Sequence, residues 1–324
     1  MSARLTRKRA RFESQEGAAE GQRDKEFWYE DGNIILVARD FEFRVFKGIL
    51  ADHSPVFKDM FSLPQPSESA TAPCPVVDVT DTPEDLRHLL RVYMLKSGSS
   101  PFVPEDPSFD MISATIRLGY KYQVSNLVQH SVNYLKMYYT RDFQVFSKRR
   151  PSYWPPSFRA EHAIGVVNLA RLIGEHTLLP VAFLICCTLG KDIVKGFKRE
   201  DGSWEQLTLD DIGICFEAKG RLVGRRADAS NVVFNFQLMT SCEKPKRCPT
   251  ELRRVLDTAA SAWAVPDPFD SILLQFSKDI RASLCPSCWE TVQKIDDIER
   301  SEMWKHLPGF FGLPIAEYTD REAE

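Results

Sequence analysis

The chain has 324 residues, with 42 Lys and Arg against 45 Asp and Glu for a formal net charge of −3. At about 150 residues per domain this length predicts two domains and excludes a single small module. A hydrophobic fraction of 43% with 27% charged residues excludes general disorder and a membrane bundle, and the near-neutral charge excludes a global field for nucleic acid or anionic lipid.

The first eleven residues carry Arg4, Arg7, Lys8, Arg9 and Arg11 without the apolar stretch of a signal peptide. Residues 178–189 form the longest apolar run, but it contains Pro180 and falls short of the roughly 20 residues that span a bilayer. It reads as a buried helix. Eight cysteines, with Cys186 and Cys187 adjacent inside that run, read as reduced thiols of a cytosolic or nuclear protein. The cluster Lys8-Arg9-Ala10-Arg11 reads either as a nuclear import signal or as part of a solvated tail. Residues 13–26 lack any large apolar side chain, so 1–26 is expected to be a disordered tail, with order beginning near Phe27-Trp28-Tyr29.

Residues 34–37 are a β-favouring run, Arg39-Asp40 a turn, and Phe41, Phe43 and Val45 alternate with Glu42 and Arg44, which predicts a hairpin. Phe41, Phe43 and Val45 serve either a monomer core or a swapped strand pairing. A short helix follows from Gly48, and Ser54-Pro55 caps a second one that carries Phe57, Met60 and Phe61 on one side. Residues 64–75, rich in proline and serine, read as a loop. Val76, Val77 and Val79 form a strand, and Thr82-Pro83-Glu84-Asp85 starts a helix whose Leu86, Leu89, Leu90 and Tyr93 repeat at i, i+3, i+4 and i+7. After a loop over 96–107, two more helices are expected around Met111, Ile112, Ile116 and Leu118 and around Leu127, Val128, Val132 and Leu135.

The run from Phe43 to Phe61, FRVFKGILADHSPVFKDMF, together with Val77-Asp78-Val79 and the leucine-rich helix after Thr82, resembles the BTB/POZ family. Phe46 departs from the family pattern, which often has histidine there. The opening Phe27-Trp28-Tyr29-Glu30-Asp31-Gly32-Asn33, the proline loop and the ending Leu307-Pro308-Gly309-Phe310-Phe311-Gly312-Leu313-Pro314 resemble fungal, basidiomycete-type BTB proteins. The resemblance implies an α+β fold, a small sheet flanked by helices over 27–140. A mostly helical C-terminal domain over 141–314 and a tail over 315–324 would complete the chain.

Beyond residue 140 the resemblance ends and the segments read as helices. Residues 163–189 hold two apolar segments interrupted near Gly174 and Pro180. Thr208-Leu209-Asp210-Asp211 is a capping box with Ile212, Phe216, Leu222 and Val223 behind it, and Leu252, Val255 and Leu256 mark a helix stopped by Pro266 and Pro268. The last helix is expected from about Cys288 toward Leu307, ending before Pro308.

Chemistry is sparsely signalled. No GxGxxG, GxxxxGK, GxSxG or HExxH arrangement occurs. His162 and His176 flank apolar helices and read as satisfied or surface histidines. Asp210-Asp211 is explained by capping and Asp296-Asp297 by a solvated helix face, while Arg225-Arg226 and Arg253-Arg254 lack interleaved aromatics for base stacking. The chain therefore reads as a non-enzyme, with no direct nucleic-acid contact, no membrane and no small-molecule substrate. By resemblance it pairs with itself or a related BTB chain and acts as a scaffold or adaptor. Two alternatives stay open: a substrate adaptor of a cullin ubiquitin ligase, for which the segment after Met60-Phe61 offers Gln65 where the family has glutamate, and a nuclear regulator acting through partners.

One metal signal stands out. Cys285-Pro286-Ser287-Cys288 has zinc-knuckle spacing at a helix start, and Cys242 with Cys248 would complete a structural zinc site. The separation of Cys242 and Cys248 exceeds the usual spacing, so the other reading stays open: two small, partly buried residues at a helix start and an incidental pair elsewhere.

Overall fold

The computed structural model describes residues 21–63, 74–94, 106–149, 152–235, 242–259, 269–271, 273, 280–315 and 318. The basic cluster at Lys8 to Arg11, most of the proline loop with Gln65, and Pro266 and Pro268 lie outside the described residues.

Strands β1 (Gln22–Trp28), β2 (Ile34–Ala38), β3 (Phe41–Val45) and β4 (Val76–Val79) form one sheet in the order β1-β3-β2-β4. The alternation of Phe43 and Val45 places Leu36 opposite Phe43 in the antiparallel β2–β3 pair, and β4 runs parallel to β2. Arg39 takes a left-handed φ of 53° in the tight turn between them. Phe43 and Val45 are fully buried in the core, whereas Phe41 is half-buried with the Arg87 guanidinium 4.7 Å from its ring centre.

Order begins earlier than the expected tail over 1–26 allows. β1 starts at Gln22 and pairs in parallel with β3 through a bulge. Its polar sequence hides a strand because only Asp24 and Phe27 point inward. The Asp24 carboxylate accepts the backbone N–H groups of Glu26 and Phe27 and the Arg87 Nε, which satisfies a buried charge and fixes the bulge.

Helices α1 (Lys47–His53) and α2 (Pro55–Ser62) meet at Ser54. Its hydroxyl accepts from Phe57 N and donates to Tyr122 O at 2.7 Å, tying this corner to the end of α4 (Phe109–Lys121). Thr82 caps α3 (Pro83–Tyr93) as its sequence predicts, and α5 (Ser125–Tyr138) follows α4. Leu36, Phe43, Leu50, Phe57, Leu86, Leu90 and Leu127 belong to one core between the sheet and these helices.

The remaining helices are α6 (Phe143–Ser147), α7 (His162–Ile173), α8 (Leu179–Thr188), α9 (Leu209–Phe234), α10 (Arg247–Ala259), α11 (Pro286–Lys305) and α12 (Leu307–Phe310). Gly174, at φ 71°, ends α7 in the left-handed conformation. Pro180 does not interrupt a helix; it lies in the first turn of α8, where its missing N–H is harmless. Pro308 likewise opens α12 after α11 has stopped at Lys305. Phe216, expected behind the capping box of α9, is 68% exposed. No helix among the described residues is long and apolar enough to cross a membrane.

This region is mostly helical, as expected, and one element in it is not a helix. Strands β5 (Phe197–Lys198) and β6 (Trp204–Glu205) form a small antiparallel hairpin. Gly196 enters it at φ 71°, and a Cβ there would lie 2.0 Å from Glu205 O. The hairpin is held by charges and not by an apolar pattern: Arg199 bonds Asp85 of α3, and Glu205 takes Arg117 of α4 at 2.7 and 2.9 Å and Asn168 of α7 at 2.5 Å. A second core joins Phe109, Ile112, Ile116, Val132 and Leu135 of α4 and α5 to α7, α8, the first half of α9 and the last turns of α11. Helices α4 and α5 thus face two cores.

Candidate metal centre

A third, smaller cluster lies at the other end of the α9 and α11 pair. It contains Val233 and Phe234 from the last turn of α9, Leu252, Val255 and Leu256 from α10, and Cys285, Cys288 and Val292 from the first turns of α11. The two long helices run antiparallel: the early α9 residue Cys215 shares a core with Trp304 late in α11, and the Arg225 and Glu299 side chains pair at 2.8 Å between them. This geometry carries the start of α11 to the end of α9, where α10 packs.

Each sulfur is placed by a local feature. Cys285 is the N-cap residue of α11, extended at φ −77° and ψ 160°, with Pro286 in the first turn. Cys288 follows one turn later and is fully buried. Cys248 lies in the first turn of α10, and Cys242 precedes that helix. All four Sγ atoms lie within 4.8 Å of one another, with Cys242 half-buried and the other three buried. The structure therefore brings together both pairs that the sequence singled out. None is in a disulfide.

Backbone polarity converges on the same sulfurs. Cys285 N donates to Cys248 Sγ at 3.4 Å. Burial pushes the Cys285 thiol up, but the backbone N–H groups of Cys288 and Glu243 and the Cys288 and Cys248 thiols outweigh it and hold Cys285 down at about 6. Cys248 and Cys288 are pushed up, chiefly by burial and then by their sulfur neighbours. The Lys244 ammonium reaches Leu284 O at 3.5 Å, which puts a cation beside the group. Sequence spacing did not reveal these N–H and lysine contacts, because they come from residues 243, 244 and 285 meeting across two helix starts.

The donor set fits a tetrahedral metal. At a Zn–S distance of about 2.3 Å, the sulfurs of a regular tetrahedron are about 3.8 Å apart. The observed separations, none above 4.8 Å, reach it with a contraction of at most about 1 Å. Four thiolates fill all four positions and leave none for a substrate, which is the arrangement of a structural centre.

The other candidate residues do not assemble a site. His162 is buried, accepts Arg159 N–H at 3.2 Å through Nδ1 and stacks on Phe109 at 4.6 Å. Thr208 caps α9 by accepting the Asp211 N–H, the Asp211 carboxylate accepts the Thr208 hydroxyl and pairs with Arg171, and Asp296, buried and not on the expected solvated face, takes Ser271 and Arg300. Arg225 pairs with Glu299, Arg254 with Glu251 and Arg253 with Asp257. Cys186, Cys187 and Cys215 are buried in the second core, where burial raises the Cys186 thiol.

Comparison with known proteins bears on the sheet and its helices. Residues 22–138 match the family model of the BTB/POZ domain. This span holds the four-stranded sheet and α1 to α5. No curated protein matches the chain.

Proposed function

We propose that the BTB/POZ domain of this chain pairs with a second copy or with a related BTB chain, and that the helical region after it makes the protein a scaffold or adaptor. The BTB/POZ domain is a protein-interaction module, and the family match over residues 22–138 is the observation that carries this reading. The open sheet supports it, because β1 and β4 are edges among the described residues and edge strands present unpaired backbone groups to a partner. The likeness of the opening and ending segments to fungal BTB proteins belongs to the same proposal, as does an intracellular, cytosolic or nuclear, setting for eight free cysteines.

Affinity purification of the tagged full chain from cells that also express an untagged copy tests the pairing. Recovery of the untagged copy or of another BTB chain supports it, and recovery of neither contradicts it. Cullin among the recovered chains would make the ligase adaptor the specific role, and chromatin proteins would make it the nuclear regulator.

The second part of the reading is a structural zinc ion held by Cys242, Cys248, Cys285 and Cys288. Their mutual distances support it. Elemental analysis of protein purified without chelator should give one zinc per chain; absence of stoichiometric zinc, even after the metal is offered, would contradict it.

A further inference from the structure

Resting on the zinc reading above, we infer that the metal is the catch that holds α10 to the body of the protein, so that its loss releases residues 242–259 while the sheet and the second core stay folded. The cluster around the cysteines is separate from both larger cores. Among the described residues α10 contributes Leu252, Val255 and Leu256 to it beside Cys248, and it packs on α9. Ordering residues 242–259 opposes that limited burial with the conformational entropy of every residue fixed. Small apolar clusters of this kind depend on a staple.

The four cysteines are placed to act as that staple. Two belong to the start of α11, one to the first turn of α10 and one to the segment leading into it, so a shared metal joins residues 242–248 to the start of α11. Binding to a site absent from the unfolded segment is itself folding free energy for that segment. The body is held independently: Ile164, Val167, Phe183 and Leu184 are buried in the second core, and the sheet has its own core, with no cysteine of the centre in either. Entry to the centre is also one-sided. Cys242 is the half-buried ligand, whereas Cys248, Cys285 and Cys288 are buried, so a chelator reaches the metal from the Cys242 side.

The test is amide hydrogen exchange on the full-length chain in three states: loaded with zinc, stripped with a high-affinity zinc chelator, and reloaded with zinc sulfate. Stripping should lower protection over 248–259 by about a hundredfold or more, leave 34–45 and 164–187 within about twofold, and be reversed by reloading. Cys242→Ser should show the same local release in proportion to the zinc it fails to hold. A chain that binds stoichiometric zinc yet keeps the protection of 248–259 after stripping would overturn this inference and leave the zinc reading standing. Loss of protection across all segments together would overturn it as well. A chain that takes up no zinc would overturn the zinc reading and the inference with it.

Discussion

Arg199 donates two hydrogen bonds from Nη2 to the carboxylate of Asp85, at 2.8 and 3.0 Å, across 114 residues of sequence. The pair joins the β5–β6 hairpin to α3 of the BTB/POZ domain. Both side chains are nearly buried, at 12% and 11% exposure. Arg199→Met takes the guanidinium from the inward Asp85 carboxylate, while Glu205 keeps Arg117 and Asn168. Equilibrium urea unfolding should report a loss of roughly 3–5 kcal/mol for the single variant. Asp85→Asn combined with Arg199→Met should lose less than the sum of the two, because the second change removes the charge that the first leaves exposed to a poor environment.

A second junction depends on the absence of a side chain. Gly165 lies on α7 against Phe109, and a Cβ at that position would fall 2.2 Å from the ring Cζ. Gly165→Ala must displace an aromatic ring that also stacks on His162 and meets Phe158 and Phe197 edge-on. Overpacking of this kind costs about 1–3 kcal/mol and should appear as a lowered Tm. Gly48→Ala on α1 is the contrast: its Cβ would meet nothing within 4 Å. It should be neutral or stabilising by about 0.5–1 kcal/mol, since alanine is the better helix former.

His162 predicts an acid-side dependence of stability. Burial, reinforced by Arg159, lowers its pKa from 6.5 to about 4. The unfolded chain therefore takes up a proton at pH values where the folded chain does not. This contribution is fully present above about 6.5 and is lost as pH falls toward about 4, with a slope of at most about 1.4 kcal/mol per pH unit. His162→Phe should flatten that part of the curve of stability against pH. An unchanged slope in the variant would contradict the assignment.

Thiol accessibility separates the two cysteine groups. Cys186, Cys187 and Cys215 are buried in the second core, so they should resist alkylation in the native chain with or without metal. Cys242, Cys248, Cys285 and Cys288 should resist only while zinc is bound. Differential labelling read by mass spectrometry checks both statements. Cys186→Ala should leave the zinc content unchanged, whereas Cys288→Ser should lower it.

Local signals were legible in the sequence. Ser54-Pro55 and Thr82-Pro83 start helices because a cap and a first-turn proline act within four residues, and the Phe43 and Val45 alternation requires only one buried face. β1 was not legible: its single inward carboxylate, Asp24, is satisfied by Arg87, 63 residues away. The β5–β6 hairpin was hidden for the same reason, since strands of two residues are held by Arg199, Arg117 and Asn168 and not by their own periodicity. At the metal centre, the CxxC of Cys285 and Cys288 was readable from spacing. The return of Cys242 and Cys248 to it depends on the antiparallel α9 and α11 pair, which spacing does not encode.

Pairing through the BTB/POZ domain is the central claim, and the mass of the full-length, zinc-loaded chain in solution tests it most directly. Sedimentation equilibrium at micromolar concentration should return about 74 kDa, twice the chain mass of 37.0 kDa. A single species of 37.0 kDa that persists as concentration rises, with no related BTB chain able to shift it, would contradict the account.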